Sequence, residues 1–322
     1  MTSAIALDAS RGDPVEFRFI GVAPDSALLA IESRTGAWWR VPAAGAPQRL
    51  TVARGATHPR ALIAAVAGSR VATADIAGNV TEDAAEARVP AVAVRRPLMH
   101  RGQLLGFARL PDGSYLTLES RLYAGALAPM PVDTLRVVHL VAPSSERVLW
   151  TMERAGPANP YGSMTDFVSL AAFGDTVVIA ASAPPRAIWW IHGDVPDVHA
   201  ASLRGVPTAP MSARARARLE EFLRRRGVGA DGVGTSTAVF PPVVAARPFR
   251  GAWFVVGGAG EERFALSAVC ANGTVSVLLD APDVSWIFLQ PGEATVLRRQ
   301  PGTTRATIER TPYTSFETGC HR

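Results

Sequence analysis

A chain of 322 residues, 48% of them apolar, has enough material for a large core, arranged as one repetitive domain or as two ordinary ones. Charged residues make up 19%, which argues against a largely disordered chain. All 33 basic residues are arginine and 28 acidic residues are spread among them, so the net charge of +5 does not predict a nucleic-acid partner.

The first predicted element lies at the N-terminus. Residues 1–10 lack the basic region and the long apolar core of a secretory signal peptide, whereas SAIALD, residues 3–8, has the pattern of a short strand. No later stretch is apolar over the length of a membrane span. The sequence therefore predicts no transmembrane segment and leaves the compartment undecided.

An internal repeat is the main structural signal. PDSALLAIESR at 24–34 and PDGSYLTLESR at 111–121 share six of eleven residues at an offset of 87, which is two units of 43 to 44 residues. A turn followed by a short apolar strand recurs near positions 25, 69, 112, 175, 251 and 292. Units of this length with several strands each are typical of propeller blades, so we expect an all-β, six-bladed β-propeller.

Paired tryptophans mark the same strand in two of these units, Trp38-Trp39 in the first and Trp189-Trp190 in the fourth. Neighbouring side chains of a strand point to opposite faces. One tryptophan of each pair should therefore pack between neighbouring blades, and the other toward the opposite blade or the rim.

Two dipeptides predict tight hairpins. Asn272-Gly273, between RFALSAVC and TVSVLLD, allows positive φ at both turn positions and is the stronger signal. Asp112-Gly113 is the second, and both Asp25 and Asp112 are suited to turns.

One segment interrupts the β pattern between the fourth and fifth blades. Residues 211–226, MSARARARLEEFLRRR, predict a helix that Ser212 can cap and Gly227 can end, within an insertion of about 208–235. Its apolar residues share one face at helical spacing: Ala215, Leu219, Phe222 and Leu223.

The last unit is one strand short. We expect SAIALD to supply the missing strand and so to close the ring. The whole chain, 1–322, then forms a single propeller domain.

Local motifs carry little chemistry. Residues 227–232 match G-x-G-x-x-G but follow a predicted helix, whereas a dinucleotide site needs the loop after a strand. A small cluster in IHGDVPDVH has the residue types of a metal site, although such a run is also a common solvated turn; its members are His192, Asp194, Asp197 and His199.

Two further residue sets have structural interpretations. Glu32 with Arg34, and Glu119 with Arg121, occupy equivalent places in two blades, which favours ion pairs between blades over a catalytic pair. Cys270 and Cys320 either form one disulfide or remain two free thiols.

The chain resembles a six-bladed propeller family of poorly characterised bacterial proteins, related to the NHL and TolB-like propellers. The blade cores PDSALLAIESR and PDGSYLTLESR carry the resemblance, together with the insertion SARARARLEEFLRRRG and the following FPPVVAARPFRGAWFVV. The resemblance implies an extracytoplasmic protein, periplasmic or lipid-anchored, and implies no particular activity.

The functional expectation is a non-catalytic binding propeller for an unknown protein, peptide or glycan, held at the loop face or in the central channel. The long loop of the third blade and the arginine-rich helix would shape one face. We identify no catalytic or cofactor-binding residue, expect no cofactor, and expect a monomer with an apolar channel. The alternative is a metal-dependent lactonase- or lyase-like hydrolase, whose ligands would come from several blades.

Overall fold

The structure is a computed structural model. It describes residues 2–6, 17–22, 27–32, 38–42, 48–50, 63–67, 70–74, 79–84, 96–97, 103–110, 112, 114–121, 135–142, 145–152, 168–173, 175–181, 187–192, 199–206, 213, 217, 220–221, 224, 243, 245–260, 263–299 and 305–320. Within these ranges the protein is nearly all β, and its strands form six four-stranded antiparallel sheets.

Three sheets come from the first half of the chain, each from four consecutive strands. Sheet 1 contains β2 (Phe17–Val22), β3 (Leu28–Glu32), β4 (Trp38–Val41) and β5 (Gln48–Leu50). Sheet 2 contains β6 (Ile63–Ala67), β7 (Arg70–Ala74), β8 (Asn79–Ala84) and β9 (Arg96–Pro97). Sheet 3 contains β10 (Gln103–Arg109), β11 (Tyr115–Arg121), β12 (Leu135–Ala142) and β13 (Ser145–Met152).

The second half repeats the pattern, with one exception in its last sheet. Sheet 4 contains β14 (Val168–Phe173), β15 (Thr176–Ala181), β16 (Ala187–His192) and β17 (His199–Ser202). Sheet 5 contains β18 (Ala245–Phe249), β19 (Ala252–Gly260), β20 (Arg263–Cys270) and β21 (Val275–Asp280). Sheet 6 contains β22 (Val284–Leu289), β23 (Glu293–Arg299), β24 (Arg305–Pro312) and the N-terminal β1 (Thr2–Ala6).

The N-terminal strand completes sheet 6, as its sequence predicts. Strand β1 runs antiparallel to β24, with Thr2 opposite Glu309 and Ala6 opposite Arg305. The first and last segments of the chain are thereby joined by backbone hydrogen bonds.

The six predicted turn positions all fall between the first and second strands of a sheet. At the third, the carboxylate of Asp112 accepts hydrogen bonds from the Ser114 N–H (2.8 Å) and the Ser114 hydroxyl (2.9 Å). This is the turn chemistry expected of the aspartate; the equivalent Asp25 lies outside the described residues.

The Asn272-Gly273 hairpin forms, but with a different turn from the one expected. In the turn only Gly273 has a positive φ, 83°, and Cys270 donates its N–H to the carbonyl of Thr274 (2.8 Å). The Asn272 side chain instead accepts from the Thr274 N–H (2.9 Å). These bonds define a three-residue loop with a glycine bulge.

The two-residue hairpin with positive φ at both positions occurs two hairpins earlier, between the first and second strands of sheet 5. Arg250 (φ 47°) and Gly251 (φ 79°) join β18 to β19. Positive φ is uncommon for any residue with a Cβ atom, so the sequence does not predict an arginine at this turn position.

Apolar side chains pack between consecutive sheets and form the core. The first strand of each sheet contacts the first strand of the next, from β2 through β6, β10, β14 and β18 to β22. Between the last sheet and the first, Leu297 and Ile308 of sheet 6 share a buried cluster with Leu28 and Val41 of sheet 1.

The paired tryptophans of sheet 4 lie on opposite faces, as predicted. Trp189 packs on Trp150 of sheet 3, with ring centroids 5.1 Å apart, and Trp190 packs on Trp253 of sheet 5 at 4.9 Å. Trp39 is half-buried on β4, the third strand of its sheet, as Trp190 is on β16.

The arginine-rich insertion is described at five positions, all with helical backbone: Ala213, Ala217, Glu220, Glu221 and Arg224. Arg224 forms an ion pair with Glu221. The ends of the predicted helix, and its predicted apolar face, lie outside the described residues, so its extent stays a prediction. Within the part of the chain that the structure describes, no helix has the length and apolarity needed to cross a bilayer.

Removal of residues 1–9 should lower the melting temperature by several degrees, because β24 loses its hydrogen-bonded partner and each lost bond costs about 1 kcal/mol. Differential scanning calorimetry of the truncated and full chains measures this. An unchanged melting temperature would show that β1 does not support the fold.

Replacement of Trp189 by alanine should destabilise the protein by about 3 kcal/mol, because it empties the space between sheets 3 and 4. Urea unfolding measures the change. Val148→Ala is the control, since this β13 side chain is 52% exposed and its loss should cost less than about 0.5 kcal/mol. Equal losses for both variants would contradict the packing described.

Candidate functional site

Sheets 4, 5 and 6 bring charged and aromatic side chains together at one end. This end, called the turn end below, is where the first strand of each sheet leads into the second. It carries Phe173 and Asp175 on sheet 4, Arg247 to Gly251 on sheet 5, and Gln290 to Glu293 on sheet 6. The 3₁₀ helix Tyr313–Ser315, which follows β24, lies at the same end because Tyr313 donates its N–H to the carbonyl of Gly292 (2.9 Å).

Arg247 is a half-buried cation on the first strand of sheet 5. Its guanidinium lies over the ring of Phe173 from sheet 4, with 4.3 Å between the guanidinium carbon and the ring centroid. Burial lowers the pKa of Arg247, and the neighbouring Tyr313 opposes this change. An arginine still remains charged at neutral pH.

An aromatic cluster joins sheet 5 to the residues that follow β24 of sheet 6. Phe249 stacks on Phe254 at 5.5 Å between centroids, and Tyr313 packs on both rings at 5.0 and 4.6 Å. Phe316 adds an edge-on contact with Phe254 at 6.1 Å. The residues after β24 therefore pack onto sheet 5 and cover the junction between sheets 5 and 6.

Tyr313 is a neutral hydrogen-bond donor in this cluster. Burial raises the pKa of its phenol well above the ordinary value, and the charge of Arg247 only partly offsets that effect. Its hydroxyl lies beside the backbone of Gln290, whose N–H is already donated to the carbonyl of Glu293 (2.9 Å). Among the described residues the hydroxyl makes no hydrogen bond.

Two other arginines of sheets 5 and 6 are paired with carboxylates of the protein. Arg298 donates to Glu309 (2.7 Å) and Asp283 (2.8 Å). Burial alone would lower the pKa of Arg298, but these carboxylates raise it overall. Arg263 lies 3.4 Å from Asp280. Within the described part of the chain, no carboxylate pairs with Arg247.

A disulfide fixes the C-terminal segment over the turn end. Cys270 and Cys320 are bonded, with their Cα atoms 5.4 Å apart, so the structure decides between the alternatives that the sequence leaves open. Cys270 ends β20 of sheet 5, whereas Cys320 follows the last strand of sheet 6. The bond therefore joins these two sheets covalently.

The predicted metal cluster is only partly described. Thr176 Oγ1 lies 2.9 Å from His192 Nδ1, a hydrogen bond whose donor depends on the imidazole tautomer, and 3.4 Å from an Asp175 oxygen. His199 stacks on Trp190, with centroids 5.4 Å apart. Asp194 and Asp197 lie outside the described residues. In the ranges that the structure describes, no group of three or more His, Cys, Asp or Glu side chains is placed to hold a metal ion.

Other predicted features lie outside the described residues or side chains. The G-x-G-x-x-G stretch, residues 227–232, is not described, and the long loop of the third unit, residues 121–133, is described only at the backbone of its first residue. Glu32, Glu119 and Arg121 are described only as backbone in their strands, and Arg34 is not described, so the proposed ion pairs between blades stay predictions.

Sequence reasoning missed Arg247, Phe173 and Tyr313. The available signal was the charge of Arg247 within VVAARPF, where the expected apolar inner strand is interrupted just before a hairpin. Phe173 and Tyr313 carry no local signal, because the fold brings them to Arg247 from positions far away in the chain.

Comparison with known proteins supports the fold. No protein-family model matches the chain, and no curated protein matches it. Among solved structures, a candidate exported protein of Bacteroides fragilis covers 92% of this chain and 84% of its own at 12% identity and a TM-score of 0.51. A Bacteroides thetaiotaomicron protein of unknown function covers 96% of this chain and 76% of its own at 10% identity and a TM-score of 0.53. Virginiamycin B lyase from Staphylococcus aureus covers 97% of this chain and 89% of its own at 10% identity and a TM-score of 0.48.

The structural neighbours are propeller-type proteins, which supports a β-propeller fold for this chain. At these identities the likeness concerns the fold alone.

Replacement of Cys320 by serine should destabilise the protein by about 4 kcal/mol, because the disulfide closes a loop between residues 50 positions apart and so restricts the unfolded chain. Guanidinium unfolding of the variant and of the oxidised protein measures the difference. Adding a reductant should destabilise the oxidised protein by the same amount and leave Cys320→Ser unchanged; a reductant effect on both would assign the loss to another cause.

Proposed function

We propose that residues 1–322 form a single six-bladed propeller that binds a partner without catalysing a reaction. Sheets 1 to 6 serve as the blades, and β1 closes the ring. Two observations support this arrangement: the serial contacts between first strands, and the buried cluster shared by sheets 6 and 1. The insertion at about 208–235 forms a helix between the fourth and fifth blades, supported by helical backbone at its described positions.

One observation carries the binding function: the turn end of sheets 4 to 6 presents a half-buried arginine that lies over Phe173 and pairs with no described carboxylate. A charge taken partly out of water and left without a counter-ion costs free energy, which a bound partner can return. The polar groups nearby that resemble catalytic residues are engaged in their own sheet, His192 with Thr176 and His199 with Trp190.

We further propose an extracytoplasmic location for a monomeric protein. The disulfide supports it, because disulfides persist in oxidising compartments and are rare in the cytosol. A bond that anchors the C-terminal segment over the turn end would keep the binding surface intact there.

Metal analysis tests the binding function against the hydrolase alternative. We expect protein purified without chelator to contain less than about 0.1 equivalent of any divalent metal by mass spectrometry. We also expect that adding Ca²⁺, Zn²⁺ or Mg²⁺ does not change its melting temperature. A stoichiometric metal, with a melting temperature that falls on chelation, would instead support the metal-dependent hydrolase and direct attention to His192 and His199.

A further inference from the structure

We propose that Arg247 binds a carboxylate of an acidic peptide segment at the turn end of sheets 4 to 6. This inference rests on the proposed binding function and names the chemistry of its partner. Its first support is the contrast with Arg298 and Arg263. These two arginines form ion pairs with carboxylates of the protein, whereas none of the described carboxylates pairs with Arg247.

The donors of Arg247 point to an acceptor on the ligand. The guanidinium of Arg247 has five N–H groups in a planar fork that matches a carboxylate, and the Tyr313 hydroxyl beside it has no acceptor among the described residues. Neither group can neutralise the other, since the phenol stays protonated. A carboxylate supplies the charge and the acceptor oxygens that the guanidinium of Arg247 lacks.

Arg250 extends the positive charge of this surface. It is exposed in the hairpin that follows β18, and its guanidinium carbon lies 5.2 Å from the centroid of the Phe249 ring. Its positive φ of 47° is strained for a residue with a side chain, and such strain is concentrated at binding sites. Two arginines three residues apart suit a segment with more than one acidic group, and the net charge of +5 favours its approach.

The aromatic rings favour a peptide over an acidic sugar. Sugars bind by laying their C–H groups on an open ring face, but Arg247 covers Phe173, while Phe249 is stacked on Phe254 and lies beneath Arg250. The surface therefore offers cations supported by rings rather than free rings. A carboxylate that pairs with these guanidinium groups needs no contact with a ring face.

Fluorescence anisotropy with a labelled six-residue Glu-rich peptide tests the proposal. We expect the peptide to bind, its Gln-for-Glu analogue not to bind, and Arg247→Gln to weaken binding about tenfold or more, as loss of a charge-assisted bond does. Arg247→Lys keeps the charge without the planar fork and should bind between the two. Arg49→Gln is the control: it removes an equally charged side chain that is exposed on β5 of sheet 1, outside sheets 4 to 6, and should change affinity less than about twofold.

Circular dichroism and melting temperature establish whether each variant is folded. If Arg247→Gln does not fold, Arg247→Lys tests the proposal in its place. Equal affinity of wild type and both Arg247 variants, or no binding of the Glu peptide, would overturn the proposal. Binding of an oligogalacturonate in place of the peptide would overturn the assignment to a peptide. If the Glu peptide does not bind and the protein contains no metal, the proposed binding function stands and its site lies elsewhere. If the protein contains a stoichiometric metal, both the proposed binding function and the carboxylate site are wrong.

Discussion

The packing of apolar sheet faces against one another is the constraint on which the rest of the structure depends. Each four-stranded sheet exposes two such faces, and a sheet alone cannot bury either. Sheet 4 shows the solution: Trp189 fills the space toward sheet 3, and Trp190 fills the space toward sheet 5. The last sheet and the first are also in contact, through the buried cluster of Leu28, Val41, Leu297 and Ile308.

The same packing explains why polar chemistry collects at the turn end. In sheet 4 the second strand, β15, is buried along its whole length, whereas the first strands β14, β18 and β22 are mostly only partly buried, so a charge on a first strand can reach water. Arg247 lies on β18, held by Phe173 from one neighbouring sheet and coupled to Tyr313 from the other. The disulfide and the Phe316 contact keep the C-terminal segment, and hence Tyr313, against sheet 5.

The sequence predicts what depends on local pattern. Alternating apolar runs and turn residues locate the six first-to-second-strand turns, and the shortage of one strand in the last unit predicts the pairing of β1 with β24. The site depends on long-range contacts and was missed, because nothing near Phe173 or Tyr313 in the chain reveals their common neighbour. Turn type was also misjudged at Asn272, whose side chain caps Thr274 while Gly273 alone takes positive φ. The pairing of Cys270 with Cys320 likewise needed the fold, since two cysteines permit either outcome.

The central claim is that sheets 6 and 1 meet and close a ring, and a double-mutant cycle between Leu28 and Leu297 tests it most directly. Both side chains are buried, one in each sheet. Urea unfolding of Leu28→Ala, Leu297→Ala and the double variant should give a coupling free energy of at least about 0.5 kcal/mol, as residues that pack together do. Additive losses would show that the two sheets do not pack on each other, and the ring would then be open at this junction.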